Sequence, residues 1–400
     1  MREHHMVRFI PAICLLLTFA LGTSMVMGEV LRVPEEYPTI QEAADIAVQG
    51  DIIDLAPGIW NQRVWGLSGV TLRGREGFSK TILDGANEPW SLLVCYGDPV
   101  TIEDITFRNG TGSNVFGIVR GGAIYAEFTE VTVDRCVFEN NTLTIGEFDS
   151  DSVGGAVCGY YTSLNIRNSR FTANSANRGG GVYATYADDM TIENCQFLGN
   201  EAWEGGGIHS AGTPLYVSDS LFNGNLAEWQ GGGIFIMASG DESSPLPGNV
   251  SNTDFIRNSA SLYGYGQGGG LAITGTHVMT VSQSSFQDNY GYTGGGILAG
   301  FLSESNPMPV SETLFCGNSF HDHAYEGIVD DGTNSFTQSC WCSTDIDNDG
   351  AVGIDDLLLL LGEWGGFYYP DLDANNDQAF DVNDILAVVN DWGRVCDDNS

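Results

Sequence analysis

From residue 100 onward, apolar and polar positions alternate in short bursts, each burst ending near a phenylalanine. The seventh and fifth residues before successive phenylalanines are Val100/Ile102, Val131/Val133, Leu164/Ile166, Met190/Ile192 and Leu215/Val217. The residues between them are polar: Thr101, Thr132, Asn165 and Thr191. A period of two with one apolar face predicts short half-buried strands. Two residues before each phenylalanine runs a column of mostly small residues: Ile105, Cys136, Ser169, Cys195, Ser220, Thr253, Ser284 and Thr313.

The bursts repeat. Phe-x-x-Asn recurs at Phe138/Asn141, Phe171/Asn174, Phe197/Asn200, Phe222/Asn225, Phe255/Asn258, Phe286/Asn289 and Phe315/Asn318, about 25 to 33 residues apart. A glycine cluster capped by an aliphatic residue lies between these elements, as in Gly179-Gly180-Gly181-Val182 and Gly205-Gly206-Gly207-Ile208. A repeat of this length built of short strands predicts a solenoid, in which stacked coils bury one another's apolar columns. Propeller blades need longer repeats, and the leucine-rich pattern is absent. Each asparagine is expected at a tight bend, where its amide tolerates a left-handed backbone and bonds the neighbouring coil. The glycines are expected at sharp corners and close backbone approaches.

On these motifs the chain resembles the right-handed parallel β-helix, or pectin-lyase-like, superfamily over roughly residues 30–338. The segment Tyr37-Pro38-Thr39-Ile40-Gln41-Glu42-Ala43-Ala44 reads as a short amphipathic helix. With the strand-like stretches from Gly50 to Gly85 it resembles that superfamily's N-terminal cap and first coils. The resemblance implies an all-β, right-handed parallel β-helix solenoid. It leaves activity open, since such folds host lyases, hydrolases, adhesins and inert scaffolds.

Residues 1–28 read as a secretory signal: a basic start through Arg8, an apolar run from Phe9 to Leu21, and small residues up to Gly28. The expected location is therefore extracellular or at the cell surface, without membrane insertion after cleavage. The domains expected are the signal (1–28), the β-helix with its cap (29–339) and a C-terminal module (340–400). Export makes disulfides permissible. Cys342 with Cys396 would clamp the C-terminal module, and Cys316 with Cys340 is a second candidate pair. Cys95, Cys136, Cys158 and Cys195 fall inside the repeats, where burial as small apolar residues is at least as good a reading.

The net charge of −37, with Lys80 as the sole lysine, excludes nucleic-acid binding through phosphate neutralisation and attraction to anionic membranes. It favours cations. On the solenoid, no catalytic set stands out. Asp188-Asp189 is the adjacent acidic pair of the clear repeats and reads as a solvated bend; His321-Asp322-His323 lacks a third metal ligand. Arg167 with Glu103, Asp134 and Glu193 reads as ion pairing between coils. The residues after the Gly-Gly-Gly-aliphatic units, Tyr125, Cys158, Tyr183, His209 and Phe235, share one column. Two readings stay open: the rings Tyr125, Tyr183, His209 and Phe235 form an exposed glycan platform, or loops at 143–153 and 239–249 cover them.

After Cys342 the glycine clusters stop and acids become dense. Asp345, Asp347, Asp349, Ala351 and Asp356 hold positions 1, 3, 5, 7 and 12 of an EF-hand-type Ca²⁺ loop, with Gly350 at the sharp turn. A hard cation needs six to eight oxygens, which this spacing converges. A second copy places Asp373, Asn375, Asp377, Ala379, Asp381 and Asp384 at positions 1, 3, 5, 7, 9 and 12; Gln378 replaces the turn glycine, so weaker binding is expected. A helix ending in Trp-Gly follows each loop. This tandem resembles type I dockerin repeats, which plug enzymes into cohesins. It departs from them at the recognition positions, here Ile354-Asp355 and Val382-Asn383. Calcium carries over from the resemblance; cohesin binding does not.

The reading that results is a secreted, calcium-binding, non-catalytic β-helix protein that binds polysaccharide or a surface partner, including a cohesin-like one. The alternative is a polysaccharide lyase or glycoside hydrolase carried by a dockerin.

Overall fold

A computed structural model describes residues 28–143, 152–238, 245–260, 266–300, 308–319, 323–324, 328–337, 346, 352–362, 374, 382–390 and 392. Across residues 30–337 it is a parallel β-solenoid. One coil serves for all: Met190–Glu193, Gln196–Leu198, Glu201–Glu204 and Ile208–Ala211 follow each other around the turn, and Leu215 starts the next. Stacking these four segments gives sheets of twelve, eleven, eight and ten strands respectively. Pairing is parallel and in register: Met190 sits on Leu215, Phe197 on Phe222, Ile208 on Ile234. The exception is an antiparallel hairpin, Ser113–Val115 with Ile118–Arg120, at one edge of the eight-strand sheet. Among the described residues, no helix is long and apolar enough to cross a membrane.

The period-two reading of the strands holds. Val131, Val133, Leu164, Ile166, Met190, Ile192, Leu215 and Val217 all lie in one buried core. The phenylalanines stack ring on ring through that core. Their centroid spacings run from 4.5 Å (Phe255–Phe286) to 5.2 Å (Phe286–Phe315), nearly parallel, and Phe336 extends the column past the last Phe-x-x-Asn. Parallel strands pair about 4.8 Å apart. Identical side chains on successive coils are therefore held at stacking distance by the backbone itself.

The asparagine amides bond the neighbouring coils as expected, but their backbones are not left-handed. Asn174, Asn200, Asn225 and Asn258 are buried, and none has a left-handed φ. The left-handed residue is the one before: Ala173, Gly199, Gly224 and Arg257. The bend thus turns the asparagine side chain inward, where its Nδ2 donates to a phenylalanine carbonyl of the preceding coil (Asn200 to Phe171 at 3.0 Å).

In the three-glycine clusters the first and third glycines meet distinct steric demands; the two earliest clusters carry Ala123 and Ala156 at the third place. Gly205 has φ 67°, and a Cβ there would lie 2.3 Å from the Ile208 carbonyl oxygen. The chain doubles back on itself at that point. At Gly207 a Cβ would lie 2.6 Å from the Gly233 oxygen and 3.0 Å from the Phe222 ring, so the third glycine makes room for the aromatic column.

At the N-terminal end, helix α1 (Ile40–Ile46) is capped by Thr39, whose hydroxyl accepts from the Glu42 amide at 3.1 Å. Its Ile40 and Ala43 join the core and cover the first coils. Two further helices, α2 (Ile354–Gly362) and α3 (Val382–Asn390), pack together around Val352, Leu360, Ala374 and Val388. Cys316 is disulfide-bonded, and its partner lies outside the described residues, as do Cys340, Cys342 and Cys396. Cys95, Cys136, Cys158 and Cys195 are free and buried.

Candidate functional site

The structure decides against the exposed reading of the aromatic column; residues 144–151 and 239–244 of the loops named in the other reading lie outside the described residues. Tyr125, Cys158, Tyr183, His209 and Phe235 do share one face of the ten-strand sheet, in consecutive register. That face points away from the main core, but it is covered. Tyr125 and Phe235 are 2% exposed, His209 0%, and Tyr183 is half-buried. The glycan platform on Tyr125, Tyr183, His209 and Phe235 is therefore corrected. The cover comes from the sharp return at the glycine clusters, which lays the ends of the eight-strand sheet against the rings. Val153 and the hairpin residues Val115 and Ile118 pack on Tyr125 and Cys158 in a separate apolar cluster. Phe235, Ala272 and Leu298 form another farther along.

The ends of the eight-strand sheet also bring charge. Arg120, Val153, Arg178 and Glu204 occupy one column there. Arg120 Nη1 donates to the Tyr125 hydroxyl at 2.9 Å, which donates in turn to Glu127 Oε2 at 2.7 Å. The Arg120 guanidinium also lies 4.6 Å from the Tyr160 ring centroid. Two coils on, Arg178 Nε donates to Glu204 Oε2 at 3.3 Å. His209 Nδ1 stands 3.9 Å from the same oxygen, too far for a hydrogen bond. Neither ring nitrogen of His209 has a hydrogen-bond partner.

Burial sets the protonation states. It holds His209 down to about 3, helped by the positive charge of Arg178, so the ring is neutral. Burial also raises Glu204, against the pull of Arg178. Tyr183 is pushed up to about 12, as is the Cys158 thiol. Tyr125 is raised too, first by burial and then by its bond to Glu127. None of the phenols is a ready base. Between Arg120 and Arg178 lies a cavity of about 70 Å³, bounded by Cys158, Tyr160, Tyr183 and Thr185.

Exposed aromatic rings do exist, one corner farther along the coil. Phe128, Tyr161 and Tyr186 directly follow three successive strands of the ten-strand sheet. Phe128–Tyr161 and Tyr161–Tyr186 stack at 5.2 Å, with exposures of 62%, 45% and 54% along the row. All three have left-handed backbones, φ 51°, 49° and 54°. The two flanking coils place glycine at the same corner, Gly97 and Gly212; farther on stand Ala238, which is not left-handed, and Gly275. A bulky residue there is strained by about 1 kcal/mol or more. The sequence signal was present: each ring is the sixth residue after the second glycine of its cluster, at Gly122, Gly155 and Gly180.

The remaining candidates scatter. Asp134 is buried rather than outward-facing; against the upward pull of burial, hydrogen bonds from Asn168 and Arg167 hold it below the usual carboxylate range. Arg135 bridges it to Glu103 and Asp104 on the preceding coil. Of the expected pairing between coils, Arg167 with Asp134 is present, while Arg135, outside that set, makes the ties to Glu103 and Asp104. Asp188 is exposed at its bend and Asp189 partly so. His321 and Asp322 lie outside the described residues, and His323 is described as strand backbone.

Of the expected calcium ligands, Asp345, Asp347, Asp349, Ala351, Asp373, Asn375, Asp377, Ala379 and Asp381 lie outside the described residues. Asp356 and Asp384, the twelfth positions of the two loops, are both buried in the first turns of α2 and α3. Asp356 accepts from the backbone amides of Ile346 and Gly353, which ties the loop to its helix. A buried carboxylate at this position of each copy fits a hard-cation site.

A family model described as the right-handed β-helix region matches residues 69–298. No curated protein matches the chain. Among solved structures, it is similar to a variant of AlyGC, a PL6 family alginate lyase. The identity is 14% and the TM-score 0.34, over 77% of this chain and 50% of that one; the chain thus spans half the lyase's length. With stacked parallel coils and a family match over more than half of its length, the chain belongs to the right-handed β-helix family.

Proposed function

We propose that this is a non-catalytic β-helix protein that holds a polysaccharide against its coil corners, exported and carrying a calcium-stabilised C-terminal docking module. The observation that carries the reading is the stack of Phe128, Tyr161 and Tyr186. Three successive coils accept backbone strain at a corner where other coils use glycine, and the rings they place there stay exposed. Rings that added nothing beyond their mutual stacking would be replaced by glycine at little cost. A row of aromatic rings open to solvent suits the apolar faces of sugars, and the stack ends against Gly97 on one side and Gly212 on the other.

The carboxylates argue against a hydrolase. Glu127 and Glu204 lie three coils apart, about 14 Å at the strand spacing. A glycoside hydrolase needs its two carboxyl groups within about 10 Å. Each is also engaged by its own partner, Tyr125 and Arg178. The test is retention of the full chain on an array of neutral and acidic polysaccharides, with product analysis of each. Binding without new reducing ends or unsaturated ends is expected, and Tyr161→Gly abolishes it. Released oligosaccharides would overturn the non-catalytic reading, and binding unchanged in Tyr161→Gly would overturn the assignment to the stack.

A further inference from the structure

We propose that the cavity between Arg120 and Arg178 is a binding site for a small oxyanion, a carboxylate or sulfate group. The argument starts from Arg120. Its side chain is 8% exposed, pressed between the rings of Tyr125 and Tyr160. Of its five N–H donors, one is used, toward the Tyr125 hydroxyl. Among the described residues no carboxylate lies within ion-pair distance of it; Glu127 is reached through the phenol of Tyr125. A largely buried guanidinium with no carboxylate directly on it carries a desolvation cost, and its unused N–H groups are left facing the open cavity. In a chain with 52 acidic and 15 basic residues, an arginine held this way, away from the many available acids, is a site kept for an anion.

The surroundings match. The cavity opens beside Arg120, and Arg178 stands on its other side, so two guanidinium groups flank one space. Tyr160, Tyr183 and Thr185 line the same space, the last two hydrogen-bonded to each other. Tyr183, pushed up to about 12, keeps its proton and remains a donor at neutral pH. At about 70 Å³ the space holds a few waters, which is the size of a carboxylate or sulfate group and not of a sugar ring. Planar forked recognition of such groups is what arginine does best. The site stands without the polysaccharide reading. Its carrier rests on that reading: the Tyr160 ring packs edge-on against Tyr161 and Tyr186, so the cavity adjoins the exposed stack.

The experiment is calorimetric titration of the full chain at pH 7 and fixed ionic strength, with chloride as background. Sulfate, acetate, glucuronate, an oligoglucuronate and a neutral oligosaccharide are titrated separately. Saturable uptake of sulfate or acetate is expected, weakened about tenfold or more in Arg120→Gln, the loss that goes with one charge-assisted contact. Thr185→Val, which changes shape little, weakens it severalfold and serves if Arg120→Gln does not fold. Absence of saturable uptake by the wild type, or uptake unchanged in both cavity variants, overturns the site. Oligoglucuronate binding that exceeds sulfate and loses its advantage in Tyr161→Gly identifies a polymer-borne group. Sulfate binding with no polymer advantage upholds the site and removes the polysaccharide as carrier.

Discussion

Asn174 Nδ2 donates to Asn200 Oδ1 at 2.9 Å, and the same oxygen accepts the Asn174 backbone amide at 3.0 Å. The pair is one rung of a ladder from Asn141 to Asn318 in which each amide oxygen from Asn174 onward accepts two bonds from the coil before it. Asn200→Ala removes the acceptor of Asn174 and the donors of Phe171 and Asn225 in a dry interior. At about 1–3 kcal/mol for each buried group left unpaired, a loss of about 3 kcal/mol or more is expected. Asn318→Ala, at the half-buried end of the ladder, costs less. Urea unfolding of the two variants side by side makes the comparison.

The glycines separate by mechanism. Gly199 has φ 58° and open space around its would-be Cβ, and the matching residue one coil earlier is already Ala173. Gly199→Ala is expected to lose about 1 kcal/mol from backbone strain alone. Gly207→Ala drives a methyl into the Gly233 carbonyl and the Phe222 ring, and about 1–3 kcal/mol or more is expected. Equal losses for the two in thermal unfolding would refute the assigned roles.

The aromatic corner predicts an uncoupling of stability from binding. Tyr161→Gly relieves a left-handed tyrosine while removing three ring contacts, with Phe128, Tyr160 and Tyr186, worth about 0.5–1.5 kcal/mol each. Stability should fall by no more than about 3 kcal/mol from wild type, while polysaccharide retention is lost. Tyr161→Ala keeps the strain and loses the contacts, and should be the less stable of the two by calorimetry.

His209 gives a pH signature. Burial lowers its value from 6.5 to about 3 in the folded state. Below 6.5 the unfolded chain takes up the proton and the folded chain does not. The stability associated with the neutral ring is therefore full above 6.5 and declines as pH falls toward 3, by up to about 1.4 kcal/mol per pH unit. Glu204, raised by burial, works in the opposite sense near its own ordinary value of 4.5. His209→Phe, which matches Phe235 in the same column, should flatten the slope between about pH 6.5 and 5. A wild-type slope retained in the variant would rule His209 out.

Calcium predicts a transition of its own. Chelation of the full chain should lower the melting of the C-terminal helices and leave the solenoid transition in place. Asp356→Ala should do the same with calcium present, since its carboxylate also holds the Ile346 and Gly353 amides. A melting profile indifferent to chelator would remove calcium from the module.

The solenoid was legible in the sequence because stacking makes each coil repeat its neighbour's chemistry. The Phe and Asn columns needed only counting. Alternation correctly put Tyr125 and His209 on one face, yet could not say whether that face was covered. The cover depends on how tightly the chain returns at Gly205, a steric fact that one coil does not announce. The left-handed residue is the one before each asparagine, because a buried asparagine side chain must turn inward to reach the next coil, and local tolerance of that conformation does not report this. Phe128, Tyr161 and Tyr186 stand at a corner beyond the alternating strand, where a period of two no longer assigns a face.

The asparagine ladder has a direction. Every rung presents the same oxygen toward the coil before it, so any coil can accept any other as its neighbour. The ladder contains no stop signal and no unique centre. The length of the molecule is therefore set at its ends, by α1 on one side and whatever closes the coil beyond Asn318 on the other. Coils can be duplicated or deleted as whole units without redesign of the interior, which makes the number of rungs, and the reach of the surface they carry, a quantity that gene duplication can adjust one step at a time.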